Sequence, residues 1–222
     1  MSLEEIIKFA KNPEPRCPVI LLLDTSTSMS GQPINELNAG VVTFKDEVQK
    51  DEKARLRVEV AIITISDEKP QIVQDFVTIN EFNPQILTTS GRTPMGQAIE
   101  LALDKLEGFK KTCKDIGISY YQPWVVLITD GAPTDDWQNA AQRVEEATTA
   151  KKLCFFAIGV RNAQIDTLKQ IAPSSTPPVM LEGLKFQELF RWLSDSMEKV
   201  STCKIGEQVD LPPISTWANV KA

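Results

Sequence analysis

Histidine is absent from this sequence of 222 residues. Its absence excludes Ser-His-Asp and Cys-His catalysis and every metal site that is built on imidazole. Cysteine is scarce, and because the sequence has no Cys-x-x-Cys pair, a zinc site is not expected. We expect free thiols, as in a reducing cytosol, and keep a Cys17–Cys203 disulfide as the alternative. The four cysteines are Cys17, Cys113, Cys154 and Cys203.

Long apolar runs are also missing. No segment approaches the roughly 20 apolar residues that a membrane-spanning helix needs. Residues 1–15 contain three glutamates and lack the apolar core of a secretion signal. We therefore expect no membrane contact and a cytoplasmic location. A formal net charge of −6 argues against nucleic acid as a partner, because phosphates bind basic surfaces.

The most informative stretch is Val19–Ser28, in which five apolar residues precede one carboxylate and four hydroxyls. A short run of Val, Ile and Leu after a proline is typical of a strand that is buried on both faces, as in a parallel sheet. Such a strand places Asp24, Ser26 and Ser28 at the carboxyl edge of the sheet. Open α/β folds bind their ligands at this edge.

Strands and amphipathic helices alternate along the chain. This pattern predicts an α/β fold with a doubly wound, mostly parallel central sheet and helices on both faces. One antiparallel edge strand is expected at Gln71–Ile79, and right-handed crossovers should bring the ends of the first and fourth strands together. The predicted organisation is an N-terminal helix (Leu3–Ala10) and linker within residues 1–16, one domain over residues 17–203, and an extended tail over residues 204–222.

Two further oxygen-bearing residues follow predicted elements at the same edge. Thr93 precedes Pro94 at the start of a predicted helix, and Asp130 follows the apolar strand Trp124–Thr129. Hydroxyl and carboxylate oxygens are hard donors, which Mg²⁺ prefers. The sequence therefore predicts a magnesium site at this edge. Its candidate ligands are Asp24, Ser26, Ser28, Thr93 and Asp130.

These five positions resemble the metal-ion-dependent adhesion site (MIDAS) of von Willebrand factor A (VWA) domains, which reads Asp-x-Ser-x-Ser, a distant Thr and a distant Asp. The resemblance covers roughly residues 17–203. The loops Gly91-Arg-Thr-Pro-Met-Gly and Ile128-Thr-Asp-Gly-Ala-Pro-Thr-Asp look most like the bacterial branch. Within it, the whole chain resembles the stand-alone VWA proteins of tellurium-resistance and general stress operons.

The resemblance implies a protein-binding module without enzymatic activity. Ser26 and Ser28 would bind Mg²⁺ directly, and Thr93 would add a third hydroxyl when a partner is bound. Asp24 and Asp130 would hold the ion mainly through water, or directly in one state. Mn²⁺ and Ca²⁺ are the alternative ions. The open coordination position would accept an acidic side chain from a protein partner. The resemblance implies that this partner is a kinase or phosphatase of the same operon.

Two residues depart from the bacterial pattern, and neither departure removes a ligand atom. Thr27 stands where glycine is frequent, and this change is expected to stiffen the loop. Arg92 stands where a second glycine is common, and its charge is expected to steer an acidic ligand toward the site.

The same residues also have simpler interpretations. Ser26 and Ser28 could form hydrogen bonds with backbone groups of a turn. Thr93 could be a helix cap and nothing more, for the helix that begins at Pro94. Thr134 is predicted to cap the following helix, with Asp135 and its neighbour Asp136 in the first turn.

Two other functions compete with metal-dependent binding. A haloacid-dehalogenase-type phosphatase has Asp-x-Asp, but here the second position is Ser26, which cannot transfer the proton. A metal-independent scaffold would instead bind its partners through the tail that carries Trp217.

Overall fold

Strand β1 (Cys17–Asp24) is an interior strand of a seven-stranded sheet in the computed structural model, which describes residues 12–67 and 69–219. The predicted helix Leu3–Ala10 falls outside the described residues. The other strands are β2 (Val58–Ile65), β3 (Gln71–Thr78), β4 (Trp124–Thr129), β5 (Cys154–Gly159), β6 (Val179–Leu181) and β7 (Ala218–Asn219). The α-helices are α1 (Gln32–Val48), α2 (Ala54–Arg57), α3 (Met95–Asp115), α4 (Gln138–Thr149), α5 (Ile165–Ile171) and α6 (Phe186–Thr202).

The strand order in the sheet is β3-β2-β1-β4-β5-β6-β7. Strand β1 pairs in parallel with β2 on one side and with β4 on the other, so the winding direction reverses between β1 and β4. Strand β3 is antiparallel at one edge, and the two-residue strand β7 of the tail adds a second antiparallel strand at the other edge. The predicted doubly wound, mostly parallel α/β fold is confirmed.

Every residue of β1 is buried, because helices cover both faces of the sheet. Val19, Leu21 and Leu23 pack into a core with helices α1 and α6, whereas Ile20 and Leu22 pack with helices α3, α4 and α5 on the opposite face. This alternation explains why the strand is apolar at consecutive positions. Among the described residues, no helix is long and apolar enough to cross a membrane.

The tail packs on the domain that precedes it. Trp217 is 1% exposed and its ring centroid lies 5.2 Å from that of Trp192. The indole nitrogen of Trp192 donates a hydrogen bond to the carbonyl of Pro212 at 2.8 Å. The indole of Trp217 therefore belongs to the core of this structure.

All four cysteines are free thiols, as expected. The Cys17 sulfur lies 4.0 Å from the sulfur of Met197, so this thiol packs against helix α6. The alternative Cys17–Cys203 disulfide is absent from the structure.

Candidate metal centre

The first loop of the candidate site begins at Asp24, the last residue of β1, which is fully buried. Its Oδ1 accepts a hydrogen bond from the backbone N–H of Ser26 at 2.9 Å. Its Oδ2 accepts a hydrogen bond from the Thr129 hydroxyl, at the end of β4, at 2.5 Å. One oxygen is thus held by the loop after β1 and the other by the end of β4, on the two sides of the switch point at which the winding direction of the sheet reverses.

The two serines of this loop extend the network to Asp130. The hydroxyls of Ser26 and Ser28 lie 2.9 Å apart, and the Ser28 hydroxyl donates to Asp130 Oδ1 at 2.6 Å. Ser26 precedes the short 3₁₀ turn Thr27–Met29, but its side chain makes no capping hydrogen bond to that turn. The simpler interpretation, in which these hydroxyls satisfy turn backbone groups, therefore does not describe the structure.

Thr93 faces the same space from the second loop, which comprises residues 79–94 between β3 and α3. Asp130 begins the third loop, which comprises residues 130–137 between β4 and α4. A Cβ atom built at Gly131 would lie 3.2 Å from Thr93 Oγ1 and 3.5 Å from Asp24 Oδ2. Helix α3 begins at Met95, and its N-cap residue is Pro94. The side chain of Pro94 makes no hydrogen bond to the helix. The predicted N-cap role of Thr93 is therefore wrong, and its hydroxyl is not used for capping.

Asp135 satisfies the N-terminus of α3 instead. Its two carboxylate oxygens accept hydrogen bonds from the N–H groups of Gly96 at 3.0 Å and Gln97 at 2.8 Å. Helix α4 begins only at Gln138, so the prediction that Thr134 caps it is also wrong. Asp135 and Asp136 were expected in the first turn of α4. Asp135 instead stabilises the N-terminus of α3, where its negative charge complements the helix dipole.

Backbone hydrogen bonds hold the loops against one another. The N–H of Thr134 donates to the carbonyl of Thr93 at 2.9 Å, which joins the second and third loops. The Gly91 carbonyl accepts hydrogen bonds from the N–H of Thr27 at 3.2 Å and from its hydroxyl at 3.1 Å. Thr27 therefore joins the first loop to the second through two hydrogen bonds. A glycine at this position could make only the backbone bond.

The electrostatics of the site favour a cation. Burial raises the pKa of the Asp24 carboxyl above its usual range, and the Asp130 charge adds to this rise. Hydrogen bonds from Thr129 and Ser26 act in the opposite direction. Among the described residues, no lysine or arginine forms an ion pair with Asp24 or Asp130. Two neighbouring carboxylates thus lack a positively charged partner in the part of the chain that the structure describes.

The donor set fits a hard divalent cation. It consists of three hydroxyls and two carboxylates, and oxygen-only sites suit Mg²⁺, Mn²⁺ and Ca²⁺. The part of the chain that the structure describes has no cluster of three or more His, Cys, Asp or Glu side chains that could hold a metal. The absence of a side chain at Gly131 also leaves space beside Thr93 and Asp24.

All five residues that the sequence analysis selected meet at the carboxyl edge of β1 and β4. Two supporting residues, Thr129 and Asp135, were not predicted from the sequence. Thr129 has a recognisable signal, because it is a hydroxyl residue at the buried end of an apolar strand. Asp135 has none, because its hydrogen bonds depend on how the second and third loops pack.

The fold and the site together define a doubly wound α/β domain with an oxygen-rich cluster at its switch point. The model of the von Willebrand factor type A domain family matches residues 19–191. The chain belongs to this family. No curated protein matches the sequence.

Several solved structures share this fold. The pilus adhesin SpaC from Lactobacillus rhamnosus GG has a TM-score of 0.67 and 13% identity, covering 85% of this chain and 31% of the adhesin. Proximal thread matrix protein 1 from the mussel byssus has a TM-score of 0.58 and 17% identity, covering 83% of this chain and 48% of the mussel protein. The SpRpn10 VWA domain has a TM-score of 0.53 and 14% identity, covering 74% of this chain and 86% of that domain.

The chain thus spans about half of the mussel protein and about a third of the adhesin. At these identities the likeness shows the fold. A further structure of the mussel protein, with a TM-score of 0.52, has zinc in its MIDAS motif.

Proposed function

We propose that this protein is a metal-dependent protein-binding module that holds Mg²⁺ at its MIDAS and binds a partner carboxylate through the ion. The observation that carries this proposal is the convergence of three hydroxyls and two unneutralised carboxylates at the β1/β4 switch point. The proposed ligands are Asp24, Ser26, Ser28, Thr93 and Asp130. Mn²⁺ and Ca²⁺ remain the alternative ions.

The family supports this class of function. VWA domains are generally interaction modules without enzymatic activity. The zinc in the MIDAS motif of the mussel protein supports a divalent ion at the corresponding site here. The donor chemistry favours Mg²⁺ over zinc in this chain, because the site has neither thiolate nor imidazole.

The ion would supply a strong positive charge and one open coordination position for a further oxygen ligand. Neutral hydroxyls from Ser26, Ser28 and Thr93 donate less charge to the ion than carboxylates do, so a Glu or Asp from a partner gains more by binding it. Asp24 is fully buried with both oxygens hydrogen-bonded, which favours contact with the ion through water.

Arg92 gives the rim of the site a positive charge. Its side chain is exposed and forms no ion pair among the described residues. It directly precedes Thr93 in the chain. A guanidinium at this position attracts an acidic partner and speeds its association. The bacterial resemblance suggests a kinase or phosphatase as this partner, in a cytoplasmic stress or tellurium-resistance complex.

The structure gives little support to the two competing functions. In a dehalogenase-type phosphatase Asp24 would attack phosphorus, yet it is fully buried and both of its oxygens accept hydrogen bonds. A scaffold that uses the tail would need Trp217, whose side chain is packed against Trp192.

Affinity capture with and without metal tests the proposal. The immobilised protein should retain a specific partner from its native lysate in Mg²⁺, release it in EDTA, and retain it again when Mg²⁺ is restored. The Ser26→Ala variant should capture none, while Ser30→Ala, which alters a hydroxyl bonded only to Thr89, should behave like the wild type. Equal capture in EDTA would refute metal dependence. Mg²⁺-dependent hydrolysis of a phosphomonoester that Asp24→Asn abolishes would favour the phosphatase.

A further inference from the structure

Thr129 occupies a central position beside the proposed ligands. It is the last residue of β4 and is fully buried. Its hydroxyl donates to Asp24 Oδ2 at 2.5 Å and accepts a hydrogen bond from the N–H of Gly131 at 3.1 Å. A single hydroxyl thus connects the first loop to the third.

These two bonds constrain both carboxylates of the site. The bond to Asp24 fixes the orientation of a fully buried carboxylate. The bond from Gly131 fixes the backbone on the far side of Asp130, and Thr129 itself precedes that residue. Removing the hydroxyl would leave a buried Asp24 oxygen and the half-buried N–H of Gly131 without this partner, so both groups would shift or recruit other partners.

We propose that Thr129 is a positioning residue of the metal centre, whose hydroxyl orients Asp24 and the Asp130-Gly131 backbone toward one ion. The inference rests on the proposed function, because it needs a metal at this site. Groups that orient metal ligands typically change metal affinity by about 10- to 100-fold when they are removed.

The comparison of Thr129→Ala with Thr129→Ser isolates the hydroxyl, because the two variants differ by that group alone. The dissociation constant for Mn²⁺ is measured by electron paramagnetic resonance of the free ion. The folded fraction is determined by circular dichroism in the same sample, so that unfolding is not counted as weak binding. We expect Thr129→Ala to bind Mn²⁺ at least about tenfold more weakly than the wild type, and Thr129→Ser to bind within about threefold.

Thr64→Val is the matched control, since Thr64 is also a buried threonine in a strand but its hydroxyl bonds to the carbonyl of Gln71 at 3.4 Å. It should leave Mn²⁺ affinity unchanged. A purely structural role for Thr129 predicts lower thermal stability in EDTA with unchanged affinity of the folded protein. Equal Mn²⁺ affinity of the Ala and Ser variants would overturn the inference. A wild type that binds no Mn²⁺ would overturn the proposed function as well, which distinguishes the two failures.

Discussion

The Ser28 hydroxyl donates a hydrogen bond to Asp130 Oδ1 at 2.6 Å, although the two residues are 102 positions apart in the sequence. This bond joins the first and third loops across the switch point. It places a hydroxyl and a carboxylate of the proposed ligand set in direct contact. The bond fixes the distance between two residues that are proposed to hold the same ion.

Asp24→Asn should separate stability from metal binding. Because the pKa of Asp24 in the folded protein is raised, its charged form destabilises the metal-free fold at neutral pH. We expect the variant to unfold at a temperature equal to or higher than that of the wild type in EDTA. This advantage should disappear as the pH falls below the unfolded-state pKa, where Asp24 is protonated in both states.

In Mg²⁺ the wild type should unfold at a higher temperature than Asp24→Asn, which is the reverse of the order in EDTA. At a metal concentration of about 100 times the dissociation constant, binding stabilises the wild type by about 2.7 kcal/mol, or about 5–10 °C for a chain of this size. Asp24→Asn should show almost none of this increase. Thermal unfolding of both proteins in EDTA and in Mg²⁺ measures the effect, and an equal increase in both would contradict the role of Asp24.

Gly131→Ala should weaken metal binding and leave the fold intact. The new methyl group would lie 3.2 Å from Thr93 Oγ1, which is closer than an ordinary contact, in the space that these two loops enclose. We expect at least about a tenfold loss of Mg²⁺ affinity by calorimetry, equivalent to about 1.4 kcal/mol. Gly108→Ala is the control, because a Cβ atom there meets nothing within 4 Å. That change lies within helix α3 and should stabilise the protein by about 0.5–1 kcal/mol with unchanged affinity.

Asp135→Ala should lower both stability and metal affinity. The N–H groups of Gly96 and Gln97 would lose their acceptor at the N-terminus of α3, at a cost of about 1–2 kcal/mol in the free energy of unfolding. Metal affinity should fall as well, because the helix start that follows Thr93 would be held to the third loop less firmly, with the Thr134–Thr93 backbone bond left in place. Denaturant unfolding and calorimetry measure the two effects.

Asp136→Ala is the matched control for that experiment. Asp136 is the exposed neighbour of Asp135, and its side chain makes none of these bonds. It should change neither quantity appreciably. A loss of stability that is equal in the two variants would show that Asp135 contributes only general surface charge.

The sequence was sufficient to predict the fold because its signals are local. Apolar runs in β1 and β4 and the periodic apolar positions of α1 and α3 identify buried strands and amphipathic helices without knowledge of tertiary contacts. The alternation of these elements then restricts the topology to a doubly wound sheet. The short strand β7 was not predicted, since its two residues become a strand only by pairing with β6.

The candidate site was predictable as a set of residues but not in its details. The side chains of Asp24, Ser26 and Ser28 follow one strand, so their common location is a local property. The cap predicted at Thr93 is replaced by Asp135, which bonds to a helix that begins 40 residues earlier in the chain, and the cap predicted at Thr134 failed because α4 begins only at Gln138. Capping rules that consider only neighbouring residues cannot detect a carboxylate supplied by another loop.

Calorimetric titration of metal-free protein with Mg²⁺, for the wild type, Ser26→Ala and Ser30→Ala, measures whether the proposed ligands hold one ion. Ser30 is an exposed serine of the same loop, and its hydroxyl lies 2.8 Å from that of Thr89, which is not a proposed ligand. We expect one site per chain in the wild type and in Ser30→Ala, and at least about a tenfold weaker site in Ser26→Ala. Identical affinity in all three proteins, or no binding to the wild type, would contradict the proposed metal site.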